Sequence, residues 1–324
     1  MGLSFEGLQH SIVDVGGTQV ATDVGPSLEV FNNQLWAAWK GSGGDERIWY
    51  SSTVDSGNSW TAQQSMRDPV RTSVRPSLAA GLSNSLVSQE PVLYAAWKGG
   101  GDDERLWWSN LPAGGSWGGQ QQIIAGTEVK SSFGPSLAAS GGQLLAAWKG
   151  SSGDERLWSS SFNVFEGFWT TQQLMFQGGT QFLSSVGPSV TFWNDRFWAA
   201  WKGSSGDERL WYSFTSDFGL SWAPQREIVD AAGTQVLSSV GPSLTIFNGR
   251  LYAAWKGGGG DERMWYLAAP DDRGFVENQE PLPGPLATSV GPSIVTLPTN
   301  DRLYFAWKGG GGDDRIWWTS ATDR

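Results

Sequence analysis

The chain has 324 residues, 39% hydrophobic and 17% charged, which is enough apolar content for a core and too little charge for a disordered polymer. A formal net charge of −10 argues against nucleic acid and anionic membranes as partners, because both demand a basic surface. With no cysteine, disulfides and thiolate metal sites are excluded.

The N-terminal stretch MGLSFEGLQHSIVDVGG lacks a basic region followed by an apolar run, so no secretory signal is expected. No window approaches 18 apolar residues, so no membrane insertion is expected either, and the predicted location is cytoplasmic or unconventionally secreted. The first copy of a repeat follows. It holds four β-type runs, PSLEVF, QLWAAWK, RIWYSS and SWTAQQSM, each bounded by Gly, Asn, Asp or Ser clusters. The string AAWKG (FAWKG in the last copy) then recurs, with its tryptophan at Trp39, Trp97, Trp148, Trp201, Trp255 and Trp307. Copy two carries a longer insertion, GLSNSLVSQEPVLY. No segment shows a helical period.

Four antiparallel strands per repeat of about 50 residues is the signature of a propeller blade. A β-solenoid is the alternative, and the two termini decide against it. The chain stops at RIWWTSATDR, just after the third strand of copy six, while LSFEGLQHSIVDVGGTQV at its start matches LSWAPQREIVDAAGTQV of residues 220–236, the fourth strand of copy four. The N-terminal strand therefore supplies what the last blade lacks, which closes a ring and hides a sheet edge. The expected fold is all-β, a six-bladed propeller forming one domain over 1–324. Residues 1–17 form its closing strand, and the blades lie near 18–68, 69–125, 126–178, 179–231, 232–284 and 285–324. On the second strand Ala37 and Trp39 face one neighbouring blade, and Trp36, Ala38 and Lys40 the other.

The segment from the AAWKG tryptophan to the next one has drifted least: WKGxxxDERxW in five copies and WKGGGGDDRIW in the sixth. The retained set is Lys40, Asp45, Arg47 and Trp49, with equivalents Lys98, Asp103, Arg105 and Trp107; Lys149, Asp154, Arg156 and Trp158; Lys202, Asp207, Arg209 and Trp211; Lys256, Asp261, Arg263 and Trp265; and Lys308, Asp313, Arg315 and Trp317. These residues flank the hairpin between the second and third strands. By strand parity that hairpin shares a ring face with the loop entering the next blade, so both border a groove between blades. An indole face stacks on the C–H face of a pyranose, Asp accepts from hydroxyls, and Lys and Arg donate to oxygens, so the set suits a sugar. Pairing of the same charges with one another, with Arg stacked on Trp as cement between blades, is the competing reading.

The remaining features read as structural. TVDSGNSW and TSDFGLSW are Asp-box turns on the opposite face. The tripeptides from Gly25-Pro26-Ser27 to Gly291-Pro292-Ser293 are strand-entry turns, and Arg75 in place of the glycine suggests an altered groove in copy two. GGGGDD before Arg315 lacks the alternating ligands of a calcium loop, and His10 has no partner motif, so no metal or cofactor is expected. Catalysis needs one asymmetric constellation, whereas every carboxylate of interest belongs to the sixfold set. The expectation is therefore a protein that is not an enzyme.

In its WKGxxxDERxW(W/Y) unit, repeated six times over essentially the whole chain, the sequence resembles the fungal six-bladed β-propeller lectins specific for terminal N-acetylglucosamine, the Agrocybe aegerita lectin 2 family. The resemblance implies a multivalent lectin with several equivalent inter-blade sugar sites, whose partners are glycans or glycoproteins with terminal N-acetylglucosamine. Asp314 where other copies have Glu, Ser159 where they have Tyr or Trp, and Arg75 depart from the pattern and put equal occupancy of all six sites in question. A lectin for another sugar such as fucose, and a protein-interaction scaffold using the same face, are the alternatives.

Overall fold

The computed structural model describes residues 2–7, 9–83 and 89–324. Part of the copy-two insertion, residues 84–88, lies outside the described residues. The described residues form six antiparallel blade sheets and one small hairpin, Phe176–Gln177 paired with Thr180–Gln181. In blade one the order from the axis outwards is Pro26–Phe31, Gln34–Lys40, Ile48–Thr53 and Gln64–Ser65. The innermost strands touch in cyclic order, and Ser293–Leu297 of blade six lies against Pro26–Phe31 of blade one. The ring is therefore closed.

Closure occurs as the repeat requires. Ile316–Asp323, the third strand of blade six, pairs with Leu3–Phe5 and His10–Ser11 from the N-terminus, with Leu3 opposite Asp323 and Ser11 opposite Trp317. The outermost strands are shorter than the eight-residue run SWTAQQSM suggests. After the Asp-box turn the chain meets its neighbour at Thr61, whose N–H donates to Ser52 O at 2.9 Å, and it regains regular pairing only at Gln64–Ser65. In both Asp boxes the carboxylate ties the turn. Asp55 accepts from the Thr53 hydroxyl and the Ser59 amide at 2.7 and 2.9 Å, and Asp217 accepts from Thr215 and Ser221 at the same distances.

The core is divided among the blade interfaces, because each sheet is apolar on both faces. Leu35, Ala37 and Trp39 pack on Tyr304, Ala306 and Trp318 of blade six, whereas Trp36 and Ala38 face Leu93, Ala95 and Trp97 of blade two. The alternation read from the sequence is thus the one observed. The six AAWKG/FAWKG tryptophans are 0–1% exposed. Each buries roughly 150–250 Å², worth about 4–6 kcal/mol as an upper bound. An alanine beside each indole gives the facing sheet room to approach.

The inner strands are also stitched to one another around the axis. The serine of each strand-entry tripeptide accepts a hydrogen bond from a backbone N–H of the next blade: Leu78 to Ser27, Leu137 to Ser77, Val190 to Ser136, Leu244 to Ser189, Ile294 to Ser243 and Leu28 to Ser293, at 2.9–3.3 Å. They surround an axial channel of about 530 Å³.

Candidate functional site

The hairpin joining the second and third strands turns through glycines such as Gly43 and Gly44, whose φ values of 63° and 85° favour residues without a Cβ. The repeated Asp-x-Arg-x-Trp leads from this turn into the strand Ile48–Thr53, and the two-residue spacing brings Asp45, Arg47 and Trp49 together. Asp45 Oδ1 accepts from the Arg47 amide at 3.0 Å and from Arg47 Nε at 2.9 Å. Its Oδ2 accepts from Arg47 Nη2 at 3.0 Å and from Trp49 Nε1 at 2.8 Å. The guanidinium then lies over the Trp49 ring, 4.5 Å from its centroid.

All six blades repeat this cluster. The Arg–Trp separations are 4.5–5.2 Å, and Asp103, Asp154, Asp207, Asp261 and Asp313 bond Arg105, Arg156, Arg209, Arg263 and Arg315 as Asp45 bonds Arg47. Trp107, Trp158, Trp211, Trp265 and Trp317 likewise donate their indole N–H to the aspartate at 2.8–3.4 Å. The second tryptophan of the unit is half-buried in every blade, unlike the first. The arginine bonds hold Asp45, Asp261 and Asp313 down at about 2. At Asp103, Asp154 and Asp207 burial pulls the other way, yet the arginine bonds still keep the carboxyl below its ordinary range. The clusters are therefore ionised at neutral pH and are lost only under strong acid.

Asp and Arg are paired, as the cement reading requires, but at the surface. The Arg47 side chain is 44% exposed and that of Asp45 27%. The pairing leaves Arg47 Nη1 without a partner among the described residues and one face of the cluster open to solvent.

The lysines lie elsewhere in the site. Lys40, Lys98, Lys149, Lys202, Lys256 and Lys308 are only 5–7% exposed. Five of them donate through Nζ to the loop serines Ser73, Ser132, Ser185, Ser239 and Ser289 at 2.7–3.1 Å. In blade one Asp23 replaces the serine, and Lys40 forms an ion pair with it at 2.8 Å. These ammonium groups hold the strand-entry loop to the hairpin from beneath.

The glutamate between Asp and Arg has a role that sequence reasoning left unassigned. Glu46 Oε1 accepts from the Gly101 amide of blade two at 2.8 Å, and Glu104 and Glu208 reach the turns of blades three and five at Ser152 and Gly259 at 2.9 and 2.8 Å. Glu155 accepts from the amide and hydroxyl of Ser205. Backbone bonds run alongside, with the Thr72 N–H donating to Glu46 O at 2.8 Å. In blade six the shorter Asp314 turns back to Lys308 at 3.2 Å. Hairpin and entry loop thus share one ring face and border each inter-blade junction. Neither the axial channel nor a second cavity of about 290 Å³, beside Tyr252 and Tyr266, is formed by these hairpins.

Arg75 does not alter a groove. It lines the axial channel, where its Nη1 donates to Gly291 O and Pro292 O of blade six at 3.1 and 3.2 Å. Glu29 lines the same channel, in a position that the other blades fill with Ala79, Ala138, Thr191, Thr245 and Val295. His10 stacks on Trp318 with ring centroids 4.9 Å apart. No helix among the described residues is long and apolar enough to cross a membrane.

No family model matches the chain. No curated protein matches it either. Solved structures do. A Dyadobacter fermentans protein described as of unknown function is similar at 12% identity and a TM-score of 0.65, over 98% of both chains. The Trypanosoma rangeli sialidase is similar at 13% identity and a TM-score of 0.59, over 99% of this chain and 59% of its own. A variant of the NanB sialidase from Streptococcus pneumoniae is similar at 9% identity and a TM-score of 0.58, over 97% of this chain and 70% of its own. At these identities the likeness is one of fold. It corrects the expectation that the chain is not an enzyme, because sialidases are built on the same ring along the full length of this chain. The premise of that expectation also fails on this structure: the channel gathers three unrepeated charged residues, Asp23, Glu29 and Arg75, outside the sixfold set.

Proposed function

We propose that the ring is a multivalent carbohydrate-binding protein that takes terminal N-acetylglucosamine of glycans at its Asp–Arg–Trp hairpins. The observation that carries this reading is the open side of the cluster. Six half-buried indoles, each with its N–H fixed by an aspartate and an arginine beside it that is exposed in four blades and half-buried in two, are presented on one ring face. The indole supplies a stacking surface and the spare Arg47 Nη1 donor suits an acetamide carbonyl or a hydroxyl oxygen, while Asp45, whose acceptor positions are taken by Arg47 and Trp49, fixes the orientation of both. Lys40 and its equivalents act from below, by fixing the loop that borders the groove. Six shallow sites on one face gain avidity against a glycan-bearing surface. The sialidases that share the ring are sugar-handling propellers, one of them solved in complex with sialic acid, which favours a saccharide over a protein partner.

A glycan array tests the assignment. Retention on glycans ending in N-acetylglucosamine, lost on competition with the free sugar, is expected. Silence across all glycans would favour a protein-interaction scaffold, and a response confined to fucosylated or other glycans would replace the sugar named here.

A further inference from the structure

Arg75, Gly134, Gly187, Gly241 and Gly291 line the channel mouth, and Gly25 holds the same position in blade one. The blades meet so closely there that a Cβ on Gly134, Gly187, Gly241 or Gly291 would stand 2.6–2.9 Å from the carbonyl of the preceding blade. The row loosens at one point. A Cβ on Gly25 would be 3.6 Å from Gly291 O, and Gly25 alone of the five glycines has positive φ, at 89°. Arg75 follows this break, and its side chain reaches back past blade one to the carbonyls of Gly291 and Pro292.

Those two bonds occupy Nη1 alone. The parallel donors of the opposite edge, Nε–H and Nη2–H, carry no partner among the described residues, and no carboxylate pairs with this guanidinium. The hairpin arginines, by contrast, spend this same edge on aspartate. Arg75 is surrounded by the ring, where burial lowers its pKa, yet solvent reaches it through the channel. A guanidinium in such a place without a counter-ion is costly to the fold. Beneath it lie the six stitching serines, whose oxygens accept from the next blade and whose own O–H groups remain free to donate. The other charged residues of the channel are Asp23, already paired with Lys40, and Glu29, whose carboxyl accepts from the Val30 amide at 2.8 Å and is pushed up to about 7 by burial.

We infer that the axial channel is an anion site in which a small carboxylate seats on the Nε/Nη2 edge of Arg75 and takes further hydrogen bonds from the serine hydroxyls. Two parallel N–H donors match the two oxygens of a planar carboxylate. One cation balances one negative charge, so a dianion such as sulfate would bring a second buried charge with nothing to offset it. A volume of about 530 Å³ admits a molecule of sugar-acid size.

Saturation-transfer NMR on the full chain at pH 6 with D-glucuronate and acetate tests this, with D-glucose as the neutral control. Saturable transfer to both carboxylates is expected in the parent protein. It should be lost in Arg75→Gly, which installs the residue of the other five blades. A second variant, Arg75→Lys, keeps the charge and removes the fork, and should bind about tenfold more weakly. No transfer to either carboxylate in the parent would overturn the assignment. So would transfer that survives in either variant at parental strength, or displacement of glucuronate by an equal concentration of sulfate. Neither variant touches the hairpins, so binding of N-acetylglucosamine reports on those separately.

Discussion

The Leu28 N–H donates to Ser293 Oγ at 2.9 Å, joining residues 265 positions apart where the first blade meets the last. The same bond recurs at each of the other five junctions, so the ring is held on its axis by a closed circle of serine–amide contacts as well as by packing. Replacing Ser293 with alanine leaves a buried amide without an acceptor, which costs about 1–3 kcal/mol. Thermal melting should fall by roughly 2–4 °C per kcal/mol lost. An unchanged melt would mean that the contact contributes nothing.

Leu3 is fully buried among Tyr252, Tyr266, Leu303 and Phe305 and begins the N-terminal strand that completes blade six. Leu3→Ala should destabilise the whole ring, by about 2–5 kcal/mol, in a single transition. A separate low-temperature transition confined to blade six would contradict cooperative closure.

At Gly187 the backbone lies outside the left-handed region, yet an added Cβ would meet Gly134 O at 2.9 Å. Gly187→Ala should therefore lower stability by about 1–3 kcal/mol, since neither backbone can yield without parting two blades. Gly119, with nothing within 4 Å of its Cβ position, is the control, and Gly119→Ala should be neutral or slightly stabilising. Equal effects in the two variants would refute close approach at the mouth.

Burial raises the Glu29 carboxyl to about 7, well above the range near 4 of an unfolded chain. The folded ring thus holds a proton there that the unfolded chain has already lost at pH 5–6. The associated stability is complete below about pH 4 and is lost as pH rises through about 7. Relative to its stability at pH 4, the parent should lose ground steadily to Glu29→Gln as pH rises to about 7 and hold level from there to pH 8, by at most about 3 kcal/mol in all. Parallel melting curves across that range would show an ordinary, solvated carboxyl.

Much of the ring was legible in the sequence because a duplicated pattern repeats its signals. The AAWKG spacing located the blades, and the match of the N-terminus to residues 220–236 located the closure. The alternation on Gln34–Lys40 named which side chains face which neighbour. Within the site, Asp45, Arg47 and Trp49 do come together. Lys40 does not join them at the surface, because the end of its strand is roofed by the entry loop that carries Asp23, a contact between segments that strand parity cannot display. The reach of Glu46 to Gly101 crosses a blade junction and leaves no mark on local spacing. Glu29 was hidden for a different reason, and Arg75, marked as a break in the repeat, reads in the sequence as part of a groove rather than of the axis. Each breaks the repeat only once, and comparison among copies discounts a single break, although on the axis single breaks from different blades meet in one space.

A structure of the protein soaked with N-acetylglucosamine tests the central claim most directly. The proposed function requires the sugar ring stacked against Trp49 or its equivalents, with Arg47, or its counterpart in another blade, hydrogen-bonded to it. Well-ordered crystals with accessible hairpins and no saccharide at any of the six, or a saccharide bound only away from them, would contradict it.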